Sequence, residues 1–183
     1  MFAEYLKLGI EHILDINGLD HVLFLIVLVI LYDRKSWKTV LVLATAFTLG
    51  HSITLVLAGI DIIQANSRLI EIFIAVSIAA TALYNIVSSN SKKTRYLAAL
   101  LFGLIHGLGF SGFFKTILGG ESITLPLLAF NIGVEIAQAI CVLLVLLVGY
   151  IITELIGIKK KHYVITVSSV IFLYSIKLIL ERI

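Results

Sequence analysis

Cysteine, proline, methionine and tryptophan each occur once in 183 residues, and charged side chains make up only 14%. A single Cys excludes a disulfide framework and a four-Cys zinc or iron–sulfur site. The thiolate and thioether donors that a Cu(I) path wants are equally scarce. A formal charge of +3 on so few charged groups is too small a footprint for nucleic acid. Hydrophobic residues reach 60%, against ~45–50% in ordinary soluble domains. One soluble core of this length has no room for that much apolar surface. The composition is that of an integral membrane protein.

The few charges fall almost wholly between long apolar runs. No fixed charge interrupts Thr39 to Ile60, Ile72 to Ser91 or Val164 to Ile176, and Glu135 alone breaks Ile123 to Thr153. A helix needs ~20 apolar residues to cross a ~30 Å hydrocarbon core. The runs therefore predict an all-α bundle of six transmembrane helices, near residues 11–32, 38–60, 68–89, 95–117, 123–152 and 162–181. A membrane barrel would show ~10-residue alternating segments instead, and lipid leaves the backbone no partner but its own helix. No linker or second domain is visible, so 1–183 reads as one transmembrane domain.

Lysine and arginine set the expected orientation. The loops after spans one, three and five hold nine (Arg34, Lys35, Lys38, Lys92, Lys93, Arg95, Lys159, Lys160, Lys161), and the other side holds five (Lys7, Arg68, Lys115, Lys177, Arg182). The positive-inside rule places the basic loops in the cytoplasm and both termini outside, in what reads as a bacterial inner or plasma membrane. Glu4, Glu11 and Asp15 against Lys7 do not make the basic region of a cleavable signal.

Polar residues inside the spans carry the chemistry, because each is costly there unless paired or functional. At ~1.5 Å of rise per residue, His21, His51, His106 and Glu135 all reach the middle third of the bilayer, with Asp20 beside His21. They also share faces. Asn17, Asp20 and His21 form one arc, Thr45, Thr48, His51 and Ser52 another, and Asn131, Glu135 and Gln138 a third. Three imidazoles and two carboxylates at one depth suit a divalent cation such as nickel, cobalt, zinc or iron. His12, Asp15 and Glu71, near outer helix ends, form a candidate vestibule, and Tyr84, Asn85 and Ser88 a candidate path on the cytoplasmic side.

Each residue alone has a plainer reading. A lone intramembrane His can simply bond a neighbouring helix, Glu135 can stay protonated against Asn131, and the glycines around His106 can serve packing alone. Cys141 and His162 read as a packing and an interfacial residue. Burying Asp, Glu and three His with no shared partner, however, is expensive. The Asn17-Gly18 pair is a local breaker that would open the backbone next to Asp20.

A faint echo links the two halves. Gly18-Leu19-Asp20-His21 is similar to Gly103-Leu104-Ile105-His106, and Phe47-Thr48-Leu49-Gly50-His51-Ser52 to Phe130-Asn131-Ile132-Gly133-Val134-Glu135. Units of three helices would make the second copy inverted, with sites meeting at the midplane.

The segments Gly18–His21, Leu49–Leu55, Phe102–Phe110 and Phe130–Glu135 resemble the HupE/UreJ-type membrane proteins, in their second branch. The resemblance implies a six-helix nickel or cobalt permease or accessory protein, linked to hydrogenases or ureases, with Asp20-His21 and His106-Gly107 matching the family's Asp-His and His-Gly pairs. The leading expectation is secondary uptake of a divalent transition metal at Asp20, His21, His51, His106 and Glu135. A second is an intramembrane zinc hydrolase with Glu135 as general base and Ser52 or Asn131 polarising a carbonyl. A third is a metal chaperone or sensor subunit. The expected partners are the bilayer, the metal ion, a second copy of the chain or a metalloenzyme maturation protein.

Overall fold

The structure, a computed structural model, describes residues 1–16, 18–63, 66–87, 92–119 and 122–183. Among them there are helices and no strand: α1 (Phe2–Leu14), α2 (Asp20–Val29), α3 (Trp37–Gly59), α4 (Ser67–Val87), α5 (Lys92–Leu118), α6 (Thr124–Tyr150) and α7 (Lys160–Arg182). Five stretches are long and apolar enough to cross a membrane, at 34–59, 67–87, 95–118, 124–155 and 160–182. They coincide with expected spans two to six, except that 88 and 89 lie outside the described residues.

The expected first span, 11–32, is instead two short helices. Asp15 leaves α1 in an extended conformation (φ −62°, ψ 117°), and the Gly18 N–H bonds the Asp15 carbonyl at 3.2 Å before α2 starts at Asp20. The breaker pair falls at this interruption, although Asn17 itself lies outside the described residues. α1 is amphipathic, burying Tyr5, Gly9 and Ile13 while Glu4, Lys7 and Glu11 stay exposed. Apolar periodicity therefore began before residue 11, with a polar stripe that hydropathy averages away. On the far side of α2, Asp33 starts the next element. Its Oδ1 accepts from the Ser36 N–H and hydroxyl at 3.0 and 2.8 Å, opening a 3₁₀ turn that runs into α3.

Helix packing is organised by glycine. α3 packs against α5, α1 against α6, and α4 against α7. A Cβ at Gly103 would sit 2.1 Å from the Phe47 carbonyl oxygen and 3.1 Å from the His51 nitrogen. At Gly9 it would sit 2.1 Å from the Phe130 carbonyl oxygen and 3.0 Å from the Val134 nitrogen. Gly50 meets Leu100 and Leu104 in the way that Gly133 meets Leu6 and Ile10. The two crossings match residue for residue, and only hydrogen fits at either. The register differs from the sequence echo in one element. Gly9 makes the contact that corresponds to Gly103's, whereas Gly18 approaches only the Asp15 side chain. His12, three residues after Gly9, then answers to His106, three residues after Gly103.

Candidate metal centre

Four histidines converge from four helices: His12 of α1, His21 of α2, His51 of α3 and His106 of α5. Ring centroids are 4.4 Å apart for His12 and His21, 5.5 Å for His12 and His51, 6.2 Å for His21 and His51, and 5.0 Å for His21 and His106. One ring nitrogen from each of His12, His21 and His51 lies within 4.8 Å of the other two. Ligands at ~2.0–2.1 Å around a tetrahedral ion stand ~3.4 Å apart, so closure on an ion asks for at most roughly 0.8 Å of movement per ring.

The local fold explains the convergence. Gly103 and Gly107 bring α5 onto the backbone of α3, where a Cβ at Gly107 would lie 2.3 Å from the His51 carbonyl. Aromatic rings then wall the histidines in. Phe130 stacks on His51 at 6.0 Å, Phe47 meets His106 at 5.0 Å, and Phe110 lies 4.0 Å from His12. The His106 Nδ1 is 2.8 Å from the Phe102 carbonyl, which can only accept. That bond puts the proton on Nδ1 and leaves the Nε2 lone pair free to ligate. His12 Nε2, His21 Nε2, both nitrogens of His51 and His106 Nε2 are buried without a hydrogen-bond partner. Buried polar atoms are ordinarily paired. Each neutral ring keeps one proton, so the four rings offer four lone pairs at most, and those of His12, His21 and His51 converge closely enough to hold one cation.

The carboxylates are distributed differently from the expectation. Asp20 lies next to His21 but is bound to Arg182, whose Nη2 is 3.0 Å from Oδ2 with both side chains largely buried. The same guanidinium donates to the Glu71 carbonyl at 2.8 Å and stands 3.9 Å from its carboxylate. Glu71 thus belongs to this ion cluster and not to a vestibule with His12. His12 and Asp15 do line one cavity of about 410 Å³, joined by Glu11 and Phe110. His12 is both the floor of that cavity and a member of the cage, a double role that counting depth along a continuous helix concealed.

Glu135 stands apart from the group of converging nitrogens. It sits on the seam between α3 and α6, where the Thr45 hydroxyl donates to Oε2 at 3.3 Å, and one turn further Thr48 donates to Gln138 at 3.0 Å. Ser52 donates to the Thr48 carbonyl at 2.7 Å, and the Asn131 Oδ1 is buried without a partner. The base and the hydroxyl of the hydrolase reading are therefore engaged elsewhere.

Sequence reasoning missed Arg182 and Glu11, and misjudged Arg95. Arg95 was counted as a loop cation, yet it is 2% exposed inside α5. Its guanidinium donates to Asn85 Oδ1 at 2.9 Å and to the Leu28 carbonyl at 3.4 Å, and lies 5.5 Å from the Tyr84 ring. Asn85 in turn donates to the Val27 carbonyl at 2.6 Å. The two described members of the polar path, Tyr84 and Asn85, are thus held by a buried cation, and Ser88 lies outside the described residues.

The family model described as HupE / UreJ protein matches residues 1–182. No curated protein and no solved structure matches the chain.

Proposed function

Because the chain belongs to the HupE/UreJ family, we propose that this integral membrane protein carries a divalent transition metal, nickel or cobalt, inward by secondary transport. The observation that supports the reading most is the cage of four imidazoles with unpaired ring nitrogens. Neutral imidazole is a preferred donor for nickel, cobalt and zinc. The ion enters through the cavity at Glu11, His12 and Asp15, binds among His12, His21, His51 and His106, and leaves toward the basic end. Asp20 is the carboxylate best placed to balance the incoming charge, provided Arg182 releases it. Glu135 acts beyond the cage, as a proton-accepting group on the α3–α6 seam. Arg95, bound to Asn85 and Leu28, keeps the basic end closed to cations in this conformation.

The reading counts α1 and α2 together as a first, broken span, which makes six crossings in one domain. It puts the basic loops in the cytoplasm and both termini outside. The matched glycine crossings support two inverted three-helix units with α1 answering to α5 and α3 to α6. Uptake into proteoliposomes separates the possibilities. A permease accumulates nickel or cobalt under an imposed pH or voltage gradient, and a chaperone or sensor binds metal without moving it. If densely reconstituted protein moves neither ion, nor zinc, manganese or iron, the permease reading is wrong.

A further inference from the structure

The basic end of the bundle holds a feature that metal transport does not use. A π turn over Ile151–Leu155 ends α6, closed by the Ile156 N–H on the Ile151 carbonyl at 2.9 Å. Such turns widen a helix and recur at functional sites. α7 then packs along α4, and a cleft remains where α6 faces α2 and the start of α7. Two cavities occupy it. The one at the helix ends measures about 240 Å³ and carries Asp33, Arg34, Glu154 and Lys160 on its walls. The second, about 390 Å³, is lined by aliphatic side chains with Cys141 and Tyr163. They share Val145 and Tyr163 in their walls, so they are adjacent.

Their dimensions and polarity are those of an amphiphile site. Along α6 the apolar groove runs from Ile152 to Cys141, a rise of ~16 Å, about half of a ~30 Å hydrocarbon core. It spans one leaflet. The polar cavity lies at its interfacial end, where a headgroup sits. The charges there balance, with two cations and two carboxylates. Lys160 is only partly exposed and donates to the Tyr32 carbonyl at 2.6 Å, which fixes its ammonium at the cavity. Arg34 lies 4.4 Å over the Tyr150 ring and 3.8 Å from Glu154, a long pair that a ligand can open. The hydrogen bonds from Ser36 hold the Asp33 carboxyl below the usual carboxylate range.

We propose that this cleft binds one phospholipid with a phosphoethanolamine headgroup, its phosphate on Lys160 and Arg34, its ammonium on Glu154 and Asp33, and one acyl chain in the groove. A balanced site favours a zwitterion over an anionic lipid. Among zwitterions it favours ethanolamine, whose ammonium donates hydrogen bonds that choline cannot. The far end of the groove touches Val22, the neighbour of His21, so the lipid completes the lipid-facing side of the short helix α2.

The test is headgroup competition. Purified protein in nanodiscs holding equal phosphatidylethanolamine, phosphatidylglycerol and phosphatidylcholine is released into detergent, and retained lipid is counted by native mass spectrometry. The wild type should retain phosphatidylethanolamine about tenfold over phosphatidylcholine, the worth of a charge-assisted hydrogen bond. Lys160→Gln should lose retention. Glu154→Gln, which leaves the cavity with one excess positive charge, should switch the preference to phosphatidylglycerol, and the exposed His162→Ala should change nothing. Equal retention of all three lipids by the wild type overturns the site. A wild-type preference for phosphatidylglycerol overturns the headgroup assignment. Should Lys160→Gln fail to fold, the Glu154→Gln switch decides alone.

Discussion

The His12 ring meets the His21 ring edge to face at 4.4 Å, although a helix end, a turn and a helix start separate the two residues. The break after Leu14 is what allows it. On one continuous helix, residues nine apart would stand ~13 Å apart along the axis. His12→Ala should therefore weaken nickel or cobalt binding as much as His21→Ala does. The expected loss is at least tenfold, since even second-shell partners of metal ligands are worth ~10–100-fold. Titration of detergent-solubilised protein reads it directly. Wild-type affinity in His12→Ala would return His12 to the vestibule alone.

The apolar runs made five helices of membrane-crossing length legible because nothing in them competes with a helix. The expected first span, 11–32, was placed too late and as one helix, because the polar stripe of α1 lowers the hydropathy of the segment before residue 11. His21, His51 and His106 were legible as polar intrusions at one depth. Glu135 counts to the same depth, yet it meets α3 at Thr45, six residues from His51 and so ~9 Å along the axis, an offset between helices that depth counting does not give. Arg182 was invisible for another reason. A cation in the last turn of a helix is the commonest interfacial residue, and only the fold reveals Asp20 beside it.

Glycine crossings give a packing prediction. Gly9→Ala, Gly50→Ala, Gly103→Ala and Gly133→Ala each force a methyl to within 2.1–2.3 Å of a neighbouring carbonyl oxygen. Each should destabilise the bundle by ~1–3 kcal/mol, the usual range for overpacking. Gly112 has nothing within 4 Å of its Cβ direction, so Gly112→Ala should not lower the melting temperature in detergent, since alanine favours the helix where it meets no neighbour. If Gly9→Ala behaves like Gly112→Ala, the match between the α1–α6 and α3–α5 crossings does not hold.

Asp20 and Arg182 should be coupled. With the two side chains 16% and 20% exposed, Arg182→Ala leaves a carboxylate unpaired beside the cage. The loss should be about 1–3 kcal/mol, below the ~3–5 kcal/mol of a fully buried pair. In the double variant Asp20→Ala/Arg182→Ala, part of that loss should return. A double-mutant cycle measured by thermal unfolding gives the coupling directly. Strict additivity would mean that the pair contributes nothing.

Orientation is open to labelling. In a Cys141→Ala background, Lys161→Cys should react with an impermeant maleimide only after the membrane is opened, as the excess of basic residues in these loops requires. Residue 161 is exposed, so burial cannot mimic the expected protection. Labelling of intact cells at this position would invert the whole arrangement, including the direction assigned to the Glu11–His12–Asp15 cavity.

Glu135 separates binding from movement. It lies outside the converging nitrogens and is held by Thr45 across the α3–α6 seam. Glu135→Gln keeps the shape and the bond from Thr45 while removing a titrating group. Metal stoichiometry and affinity of the purified variant should stay within about threefold of wild type, because every imidazole remains. Uptake into proteoliposomes should fall, and its dependence on external pH should flatten, because the α3–α6 seam then holds no carboxylate to take the proton exchanged for the ion. Thr45→Val should slow uptake by less, roughly tenfold at most, the worth of one hydrogen bond. The two measurements answer different questions. Lost affinity in Glu135→Gln would place the carboxylate in the cage after all, and an unchanged pH profile would reduce it to a packing residue of the seam.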